Sequence, residues 1–214
     1  MVSEVVSWAK KKREKIMLFK VDFEKAYDTV NCNFILNNLV LMAFLKRWRR
    51  WIEACLSSSM ASVLVNGSPT KEFKLRRGLM QGDPLSPFLF ILRLEVFMKR
   101  AVNFGLFDGV SLPNGGPVLT CSCYADNVIF LGLWNEKNVV NLKRILRVLY
   151  LVSRLKVNLN KSFVMGVRVD GEAAKRMAMK LNCKARELPF NFLGLPVGEN
   201  MKKIKAWRPV IDKV

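Results

Sequence analysis

The sequence predicts an α+β fold built on an antiparallel sheet with helices packed behind it. Three observations carry that expectation. Short apolar runs of strand length and alternation are interleaved with longer segments of helical period. Pairs of strand-like runs meet at turn sequences, Asn66-Gly67 and Asp126-Asn127, as hairpins do. No repeat, low-complexity linker or charge block divides the 214 residues, so they read as a single unit.

Taken in order, residues 3–13 form a short helix ending in Lys10-Lys11-Lys12-Arg13. Residues 17–23 follow as a strand. Alternation puts Phe19, Val21 and Phe23 on one face and Leu18, Lys20 and Asp22 on the other. One face is therefore expected in the core, and the other exposes a carboxylate at the strand end. Residues 32–57 fit two helices, the second carrying Trp48 and Trp51 among Lys46, Arg47, Arg49 and Arg50. That spacing reads as a buried aromatic stripe under a solvated basic face, with a surface lying on nucleic acid as the alternative.

Residues 62–65 and 71–75 flank Asn66-Gly67 as a hairpin. The loop 76–87, from Arg76 to Pro87, is shaped by Gly78, Gly82, Pro84 and Pro87. Ser86 as N-cap and Pro87 at the first helical position then open a helix over 87–103. It is apolar nearly all round and expected to be central, with Arg93 as an anomalous charge inside it. A turn over 113–117 leads to the strands 118–123 and 128–133, which meet at Tyr124-Ala125-Asp126-Asn127. Residues 136–153 are an amphipathic helix with Val139, Leu142, Leu146 and Leu149 on one stripe. A polar turn at 158–161, a strand 162–167, a helix 171–181 and a strand around 192–197 complete the order. Residues 202–214 read as the start of a further helix.

Composition narrows the function. The chain is 51% hydrophobic, ample for a core, but carries 36 Lys+Arg against 17 Asp+Glu, a net charge of +19. Such an excess on a folded chain points to a polyanionic partner, most often nucleic acid. No apolar run long enough for a membrane span is present. The five cysteines are odd in number and scattered, as in a reduced, intracellular protein, and residues 1–9 lack the apolar stretch of a secretory signal. Cys121 and Cys123 share one strand face. With no histidine and no second close cysteine pair, core packing explains them better than zinc. The lack of histidine excludes imidazole bases and His-based triads, which leaves carboxylates, lysine, tyrosine or metal ions for any chemistry.

Asp22 ends one strand and Asp126 caps a hairpin, and in an antiparallel sheet two such ends can lie side by side. Carboxylates converging at a sheet edge of a strongly basic chain make sense as ligands of Mg²⁺, which takes one or two carboxylates plus substrate phosphates. Two such ions, about 3.5–4 Å apart, stabilise the attacking and leaving oxygens of phosphoryl transfer.

Four stretches in order make the comparison specific: 19–30 (Phe-Lys-Val-Asp-Phe-Glu-Lys-Ala-Tyr-Asp-Thr-Val), 78–87, Tyr124-Ala125-Asp126-Asn127 and 155–162 (Leu-Lys-Val-Asn-Leu-Asn-Lys-Ser). Together they closely resemble the reverse transcriptase domain of non-LTR (LINE-type) retrotransposons, in particular the plant forms, and the tail 188–198 continues the match. The resemblance implies a polymerase palm-type antiparallel sheet backed by helices, with partial fingers. It also implies a thumb at most begun near 202–214 and no endonuclease. Asp22 and Asp126 match the two metal carboxylates, with Mg²⁺ or Mn²⁺ as cofactor and two ions expected. Lys25 and Ala26 match the backbone that approaches the triphosphate, Tyr27 the steric gate that favours deoxynucleotides, and Gln81 and Gly82 the loop at nucleotide and template. Lys161 matches a basic residue near the leaving pyrophosphate, and residues 192–198 the primer-grip hairpin. The implied partners are an RNA template, a DNA primer and deoxynucleotide triphosphates, in the nucleus or a cytoplasmic ribonucleoprotein.

The chain departs from the family pattern at several positions. Asn127 stands where a second Asp is usual, Met80 where Arg is usual, Arg154 where Gly is usual, and Arg93 falls in the apolar helix. Two readings follow: an RNA-directed DNA polymerase domain, or a decayed remnant that keeps only nucleic-acid binding. An intron-maturase or telomerase-type palm fits the loop and tail motifs less well.

Overall fold

The computed structural model describes residues 1–75, 77–113, 115–199 and 207–211. Helix α1 (Val2–Lys12) leads into strand β1 (Ile16–Val21) and the two-residue strand β2 (Phe23–Glu24). Helices α2 (Cys32–Leu41) and α3 (Lys46–Ser57) precede four two-residue strands: β3 (Met60–Ala61), β4 (Leu64–Val65), β5 (Ser68–Pro69) and β6 (Phe73–Lys74). Helix α4 (Leu85–Asn103) is followed by β7 (Val110–Ser111), β8 (Val118–Leu119), β9 (Cys121–Tyr124) and β10 (Asn127–Leu133). Then come α5 (Glu136–Ser153), β11 (Lys156–Val157), β12 (Phe163–Val167) and α6 (Gly171–Leu181). The last elements are β13 (Lys184–Ala185), β14 (Phe190–Phe192), β15 (Leu195–Val197) and α7 (Arg208–Ile211). Arg76, Asn114 and most of the helix expected at 202–214 lie outside the described residues.

The α+β expectation holds, with a mixed rather than purely antiparallel main sheet. Its five strands run β13-β12-β1-β10-β9. β1 pairs antiparallel with both β10 and β12, β9 pairs antiparallel with β10, and the edge strand β13 runs parallel to β12. The parallel edge arises because α6 crosses over between β12 and β13, which returns the chain in the same direction.

β1 is buried on both faces, contrary to the single core face its alternation suggested. Met17, Phe19 and Val21 join Val128, Phe130 and Val164 in a core roofed by α4, α5 and α6. Ile16 and Leu18 join Ile129, Leu131 and Met165 in a second core closed by α1 and the β14–β15 hairpin. The period-2 pattern sorted the side chains correctly; it could not show that a terminal helix and a late hairpin would cover the second face.

Local chemistry explains most boundaries. Asn135 and Asp170 cap α5 and α6 by accepting backbone N–H bonds, and both helices match the expected 136–153 and 171–181. Asn66 and Gly67 both adopt positive φ in a two-residue loop between β4 and β5, but the expected hairpin splits into two short ribbons, β4–β5 and β3–β6. The strand expected around 192–197 is two strands, β14 and β15, joined through Leu193 and Gly194 at positive φ. Helix α4 starts before its expected cap. Asp83 Oδ1 accepts from the Leu85 N–H at 3.0 Å, so Ser86 is buried inside the first turn. Pro87 is tolerated there because first-turn N–H groups have no helical acceptor. None of the helices among the described residues is long and apolar enough to cross a membrane.

Two expectations about burial are corrected. Helix α4 is not buried all round: Phe88 is exposed, and the buried side is Leu89, Phe90, Arg93, Leu94, Met98 and Ala101. In α3 the tryptophans are not the inward stripe; Ile52 is the buried residue, while Trp48 and Trp51 are exposed. Cys121 and Cys123 do pack against the core on one face of β9. Their shared hydrogen bond, then burial, holds the Cys123 thiol above its ordinary range.

Arg93 is 1% exposed, and among the described residues none of its three guanidinium nitrogens has a hydrogen-bond partner. The guanidinium carbon lies 4.8 Å from the centroid of the Phe90 ring, a favourable contact. Burial lowers its pKa to about 10. The folded state therefore holds the proton less tightly than the unfolded chain, which is worth about 3 kcal/mol of destabilisation at neutral pH. Arg93→Met, which keeps the side-chain length and removes the charge, is expected to raise the unfolding free energy in urea by about 2–4 kcal/mol. The gap between variant and parent is fully present at neutral pH and narrows only above about pH 10.

Candidate active site

The register of β1 on β10 builds the candidate site. Val21 faces Val128, so Asp22, one residue further along, falls opposite Asn127 at the foot of the β9–β10 hairpin. Tyr124 pairs with Asn127 and leaves Ala125 and Asp126 as a two-residue tip. Ala125 has φ 51, a left-handed conformation that costs a non-glycine residue about 1–2 kcal/mol. Asp126 is exposed, and its Oδ1 accepts from the Asn127 side-chain amide at 3.4 Å.

Asp22 is half-buried, and its backbone is clamped from the other side. Its N–H donates to Ser162 Oγ at 3.1 Å, and its carbonyl accepts from the Asn158 N–H at 2.8 Å. Ser162 Oγ in turn donates to the Asn158 carbonyl at 2.7 Å. The 158–161 turn is thus a direct support of Asp22, and Lys161 is carried on it, exposed, with its N–H held by Asn158. Ser162, fully buried, was legible as part of a motif but not as the residue that fixes the strand end.

The segment after β2 turns back toward the β9–β10 tip. Lys25 is exposed at φ 46, Ala26 is buried, and the Tyr27 ring tilts on Phe90 at 5.6 Å between centroids. The Tyr27 hydroxyl pKa is raised, first by burial and then by the charge of Asp126, which places Tyr27 and the hairpin tip in one electrostatic neighbourhood. The loop before α4 is tied to the same segment. The Leu79 N–H donates to the Tyr27 carbonyl at 2.8 Å, and the Gly78 N–H to the Val30 carbonyl at 2.9 Å. Gly78 has φ 91, and a Cβ there would lie 2.9 Å from the Asp28 carbonyl oxygen. Only glycine fits. Gln81 and Gly82 follow on the exposed part of this loop, with Gly82 at φ 96 facing open space.

Beside this cluster lies a cavity of about 630 Å³ lined by Glu24, Lys25, Thr29, Arg77, Tyr150, Arg154 and Lys156. Glu24 pairs with Lys156 at 3.0 Å, and the remaining cations give the wall a positive balance. Arg154 is the C-cap of α5 at φ 63, which explains why glycine suits this position.

The structure therefore brings Asp22, Asn127, Asp126 and Tyr27 to one end of the sheet and ties the 78–82 loop and the 158–161 turn to it. No cluster of three or more metal-ligating His, Cys, Asp or Glu side chains is found among the described residues. The donor set is two carboxylates and a neutral amide, which suits the one or two carboxylates that Mg²⁺ takes from protein.

Residues 2–197 match the family described as Reverse transcriptase (RNA-dependent DNA polymerase). The chain belongs to the reverse transcriptase family. The Pol polyprotein of the type-1 R2 retrotransposable element of Popillia japonica is 29% identical to it over 94% of this chain. The corresponding R2DM polyprotein of Drosophila melanogaster is 24% identical over 88%. An uncharacterised mitochondrial protein of Arabidopsis thaliana is 40% identical over 30% of this chain and 55% of its own length. This reverse transcriptase chain spans 27% of the Popillia polyprotein and 16% of the Drosophila one. Among solved structures, telomerase of Candida albicans superposes with a TM-score of 0.59 at 14% identity, covering 95% of this chain and 33% of that one. That likeness establishes the fold.

Two substitutions test the local geometry. Gly78→Ala is expected to lower stability by about 2 kcal/mol, measured by urea unfolding, because strain and clash coincide. Arg154→Gly is expected to raise it by about 1 kcal/mol by relieving the left-handed C-cap.

Proposed function

We propose that the chain is the palm, with part of the fingers, of an RNA-directed DNA polymerase from a plant-like non-LTR retrotransposon. In this reading it extends a primer 3′-hydroxyl with deoxynucleotides on an RNA template, in the nucleus or a cytoplasmic ribonucleoprotein. The observation that carries the reading is the β1–β10 register, which aligns Asp22 with the Asp126-Asn127 tip. Asp22 and Asp126 would hold divalent cations, Mg²⁺ or Mn²⁺, which supply charge neutralisation for the attacking and leaving oxygens. The other residues position. Tyr27, propped on Phe90, stands where a ring restricts the sugar 2′-position, and the exposed backbone at Lys25 faces the basic cavity, whose charge suits a triphosphate. Gln81 and Gly82 present the loop that meets base and template, and Lys161 supplies a cation for pyrophosphate. The β14–β15 hairpin takes the primer-grip role.

Asn127 favours a second reading, a chain that retains nucleic-acid binding but no longer polymerises. An amide oxygen coordinates without contributing charge. One missing charge at metal distance is worth several kcal/mol even at an effective dielectric of about 20, enough to slow a reaction by orders of magnitude.

Primer extension on an RNA template with Mg²⁺ or Mn²⁺ separates the two. Extension by the parent chain, abolished in Asp22→Ala, removes the second reading. Asn127→Asp is expected to raise the extension rate at least about a hundredfold. No extension by either parent or Asn127→Asp would remove the first reading for this chain by itself.

A further inference from the structure

Helix α3 has an outward face that neither core uses. Its inward side is served by buried Ile52 and half-buried Leu56, while Trp48 is 51% and Trp51 49% exposed. The two indoles meet edge to face at 5.6 Å and 64°, and the Arg47 guanidinium lies 4.7 Å from the centroid of Trp51. Lys46, Arg47 and Arg50 are exposed around them, and Glu53 is the single acidic residue of the helix. Two large apolar rings held in water cost free energy unless something covers them.

We propose that this face is a stacking surface for single-stranded RNA, distinct from the Asp22–Asp126 end of the sheet. Charge selects the occupant. The helix carries Lys46, Arg47, Arg49 and Arg50 against the one acidic residue Glu53, and the chain has a net charge of +19, so a polyanion complements this face. Alternating rings and cations are what a strand of stacked bases on a phosphate backbone requires, the indoles taking base faces and Lys46, Arg47 and Arg50 the phosphates. A duplex hides its base faces and gains only the electrostatic part. The choice of RNA over DNA rests on the RNA-templated reading above; the stacking itself does not depend on an intact metal site.

The test is fluorescence anisotropy of a short labelled oligouridylate, with an RNA duplex as control, titrated with the full chain. Trp48→Ala and Trp51→Ala are each expected to weaken oligouridylate binding about tenfold and leave duplex binding within about twofold. Trp→Phe at either position retains most of the affinity, and Arg47→Ala and Arg50→Ala each reduce the salt slope by about one. Oligouridylate binding is measured in EDTA and without nucleotide, where no polymerisation can occur, so failure of the catalytic reading and failure of this one are separate results. A Trp48→Ala/Trp51→Ala double variant that binds oligouridylate like the parent overturns the proposal. So does sedimentation in which that double variant loses self-association while RNA affinity stays constant. If the alanine variants melt early, photocrosslinking of a thiouridine oligonucleotide to the parent decides: adducts in residues 46–57 are expected, and their absence overturns the proposal.

Discussion

The antiparallel pairing of β1 with β10 is the constraint on which the rest of the structure depends. One residue of slip would exchange the two faces of β1 and separate Asp22 from the hairpin tip. The slip is prevented because both faces are buried: Met17, Phe19 and Val21 cannot trade places with Ile16 and Leu18 without emptying both cores. Core packing and the candidate chemistry are thus one requirement, since the side chains that hold the register also aim the carboxylates.

Around that pairing the supports are backbone hydrogen bonds from distant segments. Ser162 and Asn158 hold the end of β1, and Gly78 and Leu79 hold the segment that carries Tyr27. Each contributes only about 1 kcal/mol net, yet together they decide where the loops stand relative to the strand ends. Some of the strained positions lie in the same region. Ala125 and Arg154 adopt left-handed φ, and Arg93 stands one helical turn beyond Phe90, the ring that props Tyr27. Strain at Ala125 fits a functional tip. Arg93, without a hydrogen-bond partner among the described residues, and the non-glycine C-cap at Arg154 have no such return.

Much of this was legible in the chain itself. The helices at 136–153 and 171–181 carry their own caps and apolar stripes, and the Asn66-Gly67 turn announces its geometry through the only residue types that suit it. Asp22 and Asp126 were legible as carboxylates at the ends of strand-like runs that an antiparallel sheet can bring together. Three features were not. Trp48 and Trp51 have core spacing but lie outside, because Ile52 and Leu56 already satisfy the inward face of α3. The parallel edge strand β13 depends on how α6 crosses over, which two residues of strand cannot signal. Ser162 looks like any turn serine until its hydroxyl is seen bridging Asp22 and Asn158.

By itself, then, the sequence determined the α+β class, the family, and the local caps and turns, because these are properties of neighbouring residues and of motif words. Only the tertiary structure decided that β1 has two cores, that the turn at 158–161 supports Asp22, that Tyr27 feels the charge of Asp126, and that the α3 tryptophans face outward. These depend on contacts between residues far apart in the chain, and no local periodicity encodes which distant element arrives to cover a face or to leave it open.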